Sequence, residues 1–217
     1  MFECDDLPAS VIAKATGETK RKRGQRYGHV TYQKGYSYAG RQYPINSTKS
    51  GCYTKILQRI IEQVTAMRAL YGRVLFIRLD LHHENFGDDS SLMSVFMKSA
   101  RAIVQSRYKT PHLGYLWARE QERAKCQHYH VFLLVDGDKV NHPSALLGCL
   151  ADSWARQGGT LSIPENCYIL VVDEDSEAEA IHRASYLAKG RGKGYRPDGA
   201  RDFDCSRIKP LPSVGDC

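Results

Sequence analysis

The sequence predicts an α+β domain in which helices cover one face of a mainly antiparallel sheet. Hydrophobic periodicity from residue 54 onward predicts the order helix, strand, helix, strand, strand, helix, strand, helix. The two consecutive strands, about 113–120 and 128–135, are separated by a short charged stretch that is typical of a hairpin. We therefore expect one covered face and one partly open face.

The first helix and strand show the two faces of this sheet. Apolar residues recur at helical spacing over 54–72 and predict a helix that ends at a glycine. Residues 73–82 then alternate, with apolar odd positions and an even side that ends in Arg78, Asp80 and His82. We expect the apolar side to meet the helices and the polar side to point away from them.

The later elements have recognisable ends. The polar residues 88–90 can cap a second helix, and Pro143 opens a third. Residues 167–172 predict the last strand of the sheet. The acidic run 173–176 starts a final helix, which we expect to continue until Gly190.

Composition limits the class of protein. The 217 residues are 42% apolar and 25% charged, which suits one compact core. The longest apolar runs, 131–135 and 168–172, are far shorter than the roughly 20 residues of a membrane span. We expect a cytoplasmic protein with no membrane partner.

Charge favours a polyanionic partner. The chain has 31 Lys and Arg against 24 Asp and Glu, and nucleic acid is the first candidate for such a balance. Positive charge is concentrated at 20–26 and 189–209, although both segments would also serve as solvated tails. We divide the chain into a basic, irregular N-terminal arm (1–53) with a short hairpin near Tyr27–Tyr43, a main domain (54–210) and a C-terminal tail (211–217).

A pair of histidines opens the second strand of the hairpin. His128 and His130 are two residues apart, so their side chains share a face at about 6.7 Å and can converge on one metal ion. Glu120 ends the preceding strand and can complete a set of two histidines and one carboxylate with open positions. Glu122 is an alternative ligand, and two half-exposed strand histidines without a metal are the alternative interpretation.

A tyrosine and a lysine lie near the end of the last predicted helix. At spacings of three and four residues, His182, Tyr186 and Lys189 stack on one helical stripe. A phenol beside an ammonium suits nucleophilic attack on a phosphodiester, because the cation favours the phenolate and binds phosphate. A buried tyrosine covered by a lysine stem is the alternative.

In this order, these signals resemble the motifs of the HUH endonuclease superfamily, named for a His-hydrophobic-His pair. Within it, the chain resembles the YagK/YfjJ C-terminal domain family, which is grouped with inovirus-type replication proteins. The similarity covers roughly 54–210. It rests on residues 78–82, on Arg119 and Glu120 with 128–130, on 184–190, and on Phe203, Ser206 and Arg207.

The resemblance implies a ferredoxin-like (RRM-like) sheet and an HUH endonuclease-like catalytic domain over 54–210. It implies nicking of single-stranded origin DNA in rolling-circle replication of a phage-like or plasmid-like element in a bacterial host. Tyr186 would form a covalent link to the 5′ phosphate, assisted by Lys189. Mg²⁺ or Mn²⁺ would be the cofactor. Its ligands would be His128, His130 and Glu120, with Asp80, His82 and His182 in supporting roles.

The expected partners are single-stranded DNA and a host helicase. The cations expected to contact DNA are Arg78, Arg191, Lys193, Arg196, Arg207 and, in the arm, Lys20, Arg21, Lys22 and Arg23. Two other functions remain open. One is a non-catalytic nucleic-acid-binding regulator on the same scaffold, and the other is a metal-dependent phosphodiesterase that activates water and does not use Tyr186.

Overall fold

The computed structural model describes residues 29–84, 89–120, 128–190, 193 and 200–209. The helices in these residues are α1 (Thr54–Tyr71), α2 (Ser91–Tyr108), α3 (Ser144–Ala155) and α4 (Glu174–Ala184), with a short 3-10 helix at Ser185–Ala188. The strands are β1 (Val30–Thr31), β2 (Gly35–Tyr38), β3 (Arg41–Pro44), β4 (Cys52–Tyr53), β5 (Val74–His83), β6 (Gly114–Glu120), β7 (His128–Asp136), β8 (Gly159–Ser162), β9 (Tyr168–Val171) and β10 (Phe203–Cys205).

Six of the described strands form the main sheet, and all their pairings are antiparallel. The order is β10-β6-β7-β5-β8, and β9 pairs with the other end of the same β5 edge. Strands β5 and β7 therefore lie in the centre. The predicted α+β class and mainly antiparallel sheet are confirmed.

Helices pack on both faces of this sheet, so the prediction of helices on one face is wrong. Odd-numbered side chains of β5, such as Leu75 and Leu79, share a core with α2 and α3. Even-numbered side chains at the start of β5, Val74 and Phe76, share a second core with α1 and α4. Helix α1 covers only the start of β5 on this face. At the other end of β5, the same face carries the polar side chains of Arg78 and Asp80.

The helix that bears Tyr186 ends earlier than predicted. Asp173 and Ser176 form a capping box at the start of α4, as the acidic run suggested. The α-helix stops at Ala184, and Ser185–Ala188 continue as a 3-10 helix. Tyr186 therefore lies on a tighter turn than the α-helical stripe predicted for it.

Residues 29–53 are more ordered than the predicted irregular arm, and β2 and β3 form a hairpin close to the predicted position. Residues 30–53 contain strands β1 to β4, and Tyr43 and Tyr53 are buried in the core beneath α1 and α4. The backbone N–H of Asn46 donates to Ser185 Oγ at 2.7 Å. The boundary predicted at residue 53 thus runs through one folded unit, while the basic residues 20–26 lie outside the described part.

None of the helices in the described ranges is long and apolar enough to cross a bilayer.

Candidate metal centre and adjacent tyrosine

The polar end of the sheet brings side chains from three strands to one face. The pairing of β5 with β7 sets Asp80 opposite His130, and the pairing of β6 with β7 sets Glu120 opposite His128. Side chains of directly paired residues point to the same face of a sheet. The hairpin and the strand alternation thus place Glu120, His128 and His130 together, as the sequence predicted.

Glu120, His128 and His130 could hold a metal ion. Oε2 of Glu120 lies 3.4 Å from Nε2 of His130 and 3.7 Å from Nε2 of His128. One ligand atom from each residue falls within 4.8 Å of the others. Nε2 of His130 is buried and has no hydrogen-bond partner among the described residues. An imidazole nitrogen in that position suits a metal bond, and imidazole with carboxylate is a common ligand set. The alternative ligand Glu122 lies outside the described residues.

Asp80 orients His130 from behind. Its Oδ1 lies 2.6 Å from Nδ1 of His130, which leaves Nε2 facing Glu120. Burial would lower the pKa of His130, but the hydrogen bond with Asp80 and the nearby carboxylate of Glu120 raise it above its ordinary value. Burial would raise the pKa of Asp80, but the hydrogen bond with His130 lowers it. A hydrogen bond of this kind is expected of an aspartate that supports a metal-binding histidine.

Lys193 is buried against the third ligand. Its side chain is 0% exposed, and its Nζ lies 3.1 Å from Oε1 of Glu120 and 2.8 Å from the carbonyl oxygen of Lys189. The sequence-based assignment of Lys193 to the DNA surface is therefore corrected, because an ammonium with no exposed surface cannot contact a phosphate in this conformation.

Burial and the neighbouring charges shift the pKa values of both Glu120 and Lys193. Burial alone would raise the pKa of Glu120, but the nearby imidazoles of His128 and His130 and the charge of Lys193 hold it far below its usual range. Burial lowers the pKa of Lys193, and the carboxylate of Glu120 offsets part of that effect. The carboxylate of Glu120 is therefore ionised at neutral pH and available as a ligand.

Tyr186 lies beside the metal-ligand group. Its ring meets the His130 ring edge to face, with 5.1 Å between the ring centres. The guanidinium carbon of Arg78 lies 4.6 Å from the centre of the tyrosine ring, and Nζ of Lys189 lies 5.1 Å from it. Both distances are within the range of cation–π contacts. Tyr186, the predicted nucleophile, is thus adjacent to Lys189, which was predicted to assist it, and to the predicted metal ligand His130.

A polar cleft of about 280 Å³ opens next to Tyr186. Arg78, Asn46, Glu165, Asn166, His182 and Arg183 line it together with the tyrosine. His182 is exposed there, and Arg183 donates to the carbonyl oxygen of Asn166 at 2.7 Å. No local sequence pattern singled out Asn46, Glu165, Asn166 or Arg183, because they come from separate loops and one turn of α4.

The remaining predicted residues lie at the edges of the site or outside the described part. His82 stacks on His128 with 5.8 Å between ring centres, and its Nε2 lies 3.1 Å from Ser162 Oγ. Burial and the nearby His128 lower the pKa of His82. Arg207 is exposed after β10. The other cations assigned to DNA lie outside the described residues: Arg191, Arg196, Lys20, Arg21, Lys22 and Arg23.

Fold and site together define an antiparallel α+β protein with a candidate metal centre made of two histidines and one glutamate. Residues 38–157 match the family model of the YagK/YfjJ C-terminal domain, which is more than half of the chain. The protein therefore belongs to the YagK/YfjJ C-terminal domain family. The match includes Asp80, Glu120 and both histidines but ends before Tyr186. No curated protein and no solved structure matches the chain.

Proposed function

We propose that the protein is a metal-dependent DNA nickase and strand transferase that initiates rolling-circle replication by cutting single-stranded origin DNA. The observation that carries this proposal is the edge-to-face packing of the Tyr186 and His130 rings, whose centres are 5.1 Å apart. It brings a candidate nucleophile next to a candidate metal ligand. That juxtaposition is what a tyrosine-dependent phosphodiester transfer requires.

The proposed cofactor is Mg²⁺ or Mn²⁺, held by Glu120, His128 and His130. When bound, such an ion acts as a Lewis acid that polarises a phosphate oxygen and orients the phosphate. Two imidazoles and one carboxylate leave coordination positions open for substrate. Asp80 fixes the direction of the His130 ring through its 2.6 Å hydrogen bond.

The proposed reaction is a transfer between two oxygens. The phenolic oxygen of Tyr186 forms a bond to phosphorus and its proton passes to solvent, while the bond from phosphorus to the 3′ oxygen breaks. The 3′ oxygen takes up a proton and leaves as a hydroxyl, and the 5′ phosphate stays on the tyrosine. Arg78 and Lys189, which lie over the tyrosine ring, are placed to stabilise negative charge on the phenolate and the phosphate. Attack by a 3′ hydroxyl on this linkage rejoins the strand.

The connectivity supports the finer fold assignment that accompanies this function. If the short strand β8 between α3 and β9 is set aside as an insertion, β5-α2-β6-β7-α3-β9 has the β-α-β-β-α-β order of ferredoxin-like domains, and α2 and α3 lie on one face. We propose that this is the ferredoxin-like core of an HUH endonuclease, to which α1, α4 and β10 are added. Single-stranded DNA and a host helicase would be its partners in a bacterial cytoplasm.

An adduct assay tests the function. The protein is incubated with Mn²⁺ and single-stranded fragments that tile the DNA beside its own gene, and the products are separated on a denaturing gel. We expect a covalent protein-DNA band that disappears in Tyr186→Phe and persists in Tyr32→Phe, a matched change at an exposed tyrosine.

The other outcomes separate the alternatives. Cleavage without a covalent band, undiminished in Tyr186→Phe, would indicate a phosphodiesterase that activates water. Salt-dependent binding with neither cleavage nor a metal requirement would indicate a non-catalytic regulator. Either result contradicts the nickase.

A further inference from the structure

The ammonium of Lys193 lies in the interior of the protein next to the candidate metal centre. A buried charge is costly unless it is paired, and here Glu120 and a backbone carbonyl supply the partners. Neither the proposed nucleophile nor the proposed ligand set uses this lysine. We therefore ask what the buried ammonium does to its partner, the carboxylate of Glu120.

The two oxygens of the Glu120 carboxylate have different neighbours. Oε1 of Glu120 accepts a hydrogen bond from the Lys193 ammonium at 3.1 Å. Oε2 instead faces Nε2 of His130 at 3.4 Å and Nε2 of His128 at 3.7 Å. A carboxylate whose second oxygen is held by an ammonium presents a single oxygen to a metal. Without that restraint, glutamate can bind a divalent ion through both oxygens.

We propose that Lys193 is a positioning residue that restricts Glu120 to one-oxygen coordination and weakens metal binding by its positive charge. The inference rests on the proposed metal site and deepens it. One-oxygen coordination leaves an additional position for a phosphate oxygen. The charge opposes the divalent ion, because like charges repel strongly at short range in a poorly solvated interior.

A second contact extends this role to the nucleophile. Lys193 also donates to the carbonyl oxygen of Lys189, the residue that follows the 3-10 helix of Tyr186. One ammonium thus connects a metal ligand to the segment that carries the tyrosine. Its removal loosens both sides of the proposed phosphate site.

The test measures Mn²⁺ binding by the full chain without DNA, using calorimetry and thermal unfolding. Lys193→Met keeps the approximate length of the side chain and removes the charge. We expect Mn²⁺ to bind about 10-fold more tightly, which corresponds to about 1.4 kcal/mol. The metal-free variant should melt at a lower temperature, and Mn²⁺ should raise its melting temperature by more than it does in the wild type.

Three further variants make the result specific. Lys193→Gln keeps a donor without the charge, and it should also bind Mn²⁺ more tightly even if Lys193→Met fails to fold. Glu120→Gln combined with Lys193→Gln should abolish the gain. Lys98→Met removes an exposed charge on α2 and should leave Mn²⁺ affinity unchanged.

If the role of Lys193 is merely structural, Lys193→Met and Lys193→Gln should melt at lower temperatures but bind Mn²⁺ with the wild-type affinity. That result would overturn the proposal. Weaker Mn²⁺ binding in Lys193→Gln, or no Mn²⁺ binding by the wild type, would overturn it as well. None of these measurements involves DNA, so a failure here is distinguishable from a failure of the adduct assay.

Discussion

Asp80 and His130 lie directly opposite each other on β5 and β7, and Oδ1 of Asp80 is 2.6 Å from Nδ1 of His130. The pairing leaves one nitrogen of the imidazole directed at Glu120, 3.4 Å away. Hydrogen bonds of this kind fix the ring orientation of metal-binding histidines and increase their basicity. Asp80 therefore leaves Nε2 of His130 as the ring nitrogen that could bind a metal.

Replacing Asp80 by asparagine should weaken metal binding. Asp80→Asn keeps the size of the side chain but removes the charge that strengthens the contact with His130, and we expect Mn²⁺ affinity to fall by about 10- to 100-fold. Calorimetric titration of the DNA-free protein measures this change. Asp175→Asn, an exposed change on α4, is the matched control. Equal affinities in the two variants would contradict the role of Asp80.

Metal binding and proton binding should compete at His130. Burial would lower the pKa of His130, but the hydrogen bond with Asp80 and the nearby carboxylate of Glu120 raise it. The protonated ring therefore stabilises the metal-free fold fully below about pH 6.5, and this contribution is lost as the pH rises through the raised pKa. Over that interval Asp80 and Glu120 remain ionised, because both have lowered pKa values.

The rise in melting temperature caused by Mn²⁺ should consequently be larger at about pH 8.5 than at about pH 6. Thermal unfolding with and without Mn²⁺ at the two pH values provides the measurement. His130→Gln should lose most of this dependence. A Mn²⁺ effect that is independent of pH would show that His130 is not a ligand.

Local patterns predicted the ligand set because all its members lie on adjacent strands. Alternation along β5 places Arg78, Asp80 and His82 on one side, and a hairpin sets Glu120 opposite His128. Such relationships depend on the period of a strand, which is visible in the sequence. The contact of Lys193 with Glu120 spans 73 residues, and Lys193 lies in no helix or strand, so no periodicity could reveal the contact.

The distribution of helices over two faces was also beyond the sequence. An amphipathic stripe shows that a helix has a buried side, but it does not show which face of a sheet receives it. Helices α1 and α2 both have such stripes and pack on opposite faces. The short strands β8 and β10 were missed because four and three residues are too few for an alternation to stand out.

Arg78 should contribute to the reaction rather than to metal binding. Its guanidinium lies over the Tyr186 ring at 4.6 Å and borders the polar cleft. Removing a cation aimed at developing negative charge costs about 100-fold or more in comparable sites, so we expect at least a 10-fold slower adduct formation in Arg78→Met. Mn²⁺ affinity should remain close to the wild-type value.

Arg183→Met is the matched control for Arg78, since Arg183 borders the same cleft but donates to the carbonyl oxygen of Asn166. Time courses of adduct formation at saturating Mn²⁺ compare the two variants. A slower reaction in Arg183→Met than in Arg78→Met would contradict the assignment.

Gly51 should couple the stability of the N-terminal strands to the position of the nucleophile. Its φ of +62° is unfavourable for other residues, and a Cβ there would lie 2.5 Å from Cγ1 of Val30. Its carbonyl oxygen accepts from the N–H of Gly190 at 3.2 Å, just after the 3-10 helix of Tyr186. We expect Gly51→Ala to lower the free energy of unfolding by about 2–4 kcal/mol, from backbone strain and steric overlap together.

Gly40 supplies a control that separates these two effects. Its φ is +76°, but no atom of the described residues lies within 4 Å of a Cβ placed there. Gly40→Ala should therefore cost only the backbone strain, about 1–2 kcal/mol, in urea unfolding. At a temperature where both variants are folded, Gly51→Ala should form the adduct more slowly because the clash displaces the segment held to Gly190, whereas Gly40→Ala should react at the wild-type rate. Equal rates in the two variants would show that the N-terminal strands stabilise the fold without positioning Tyr186.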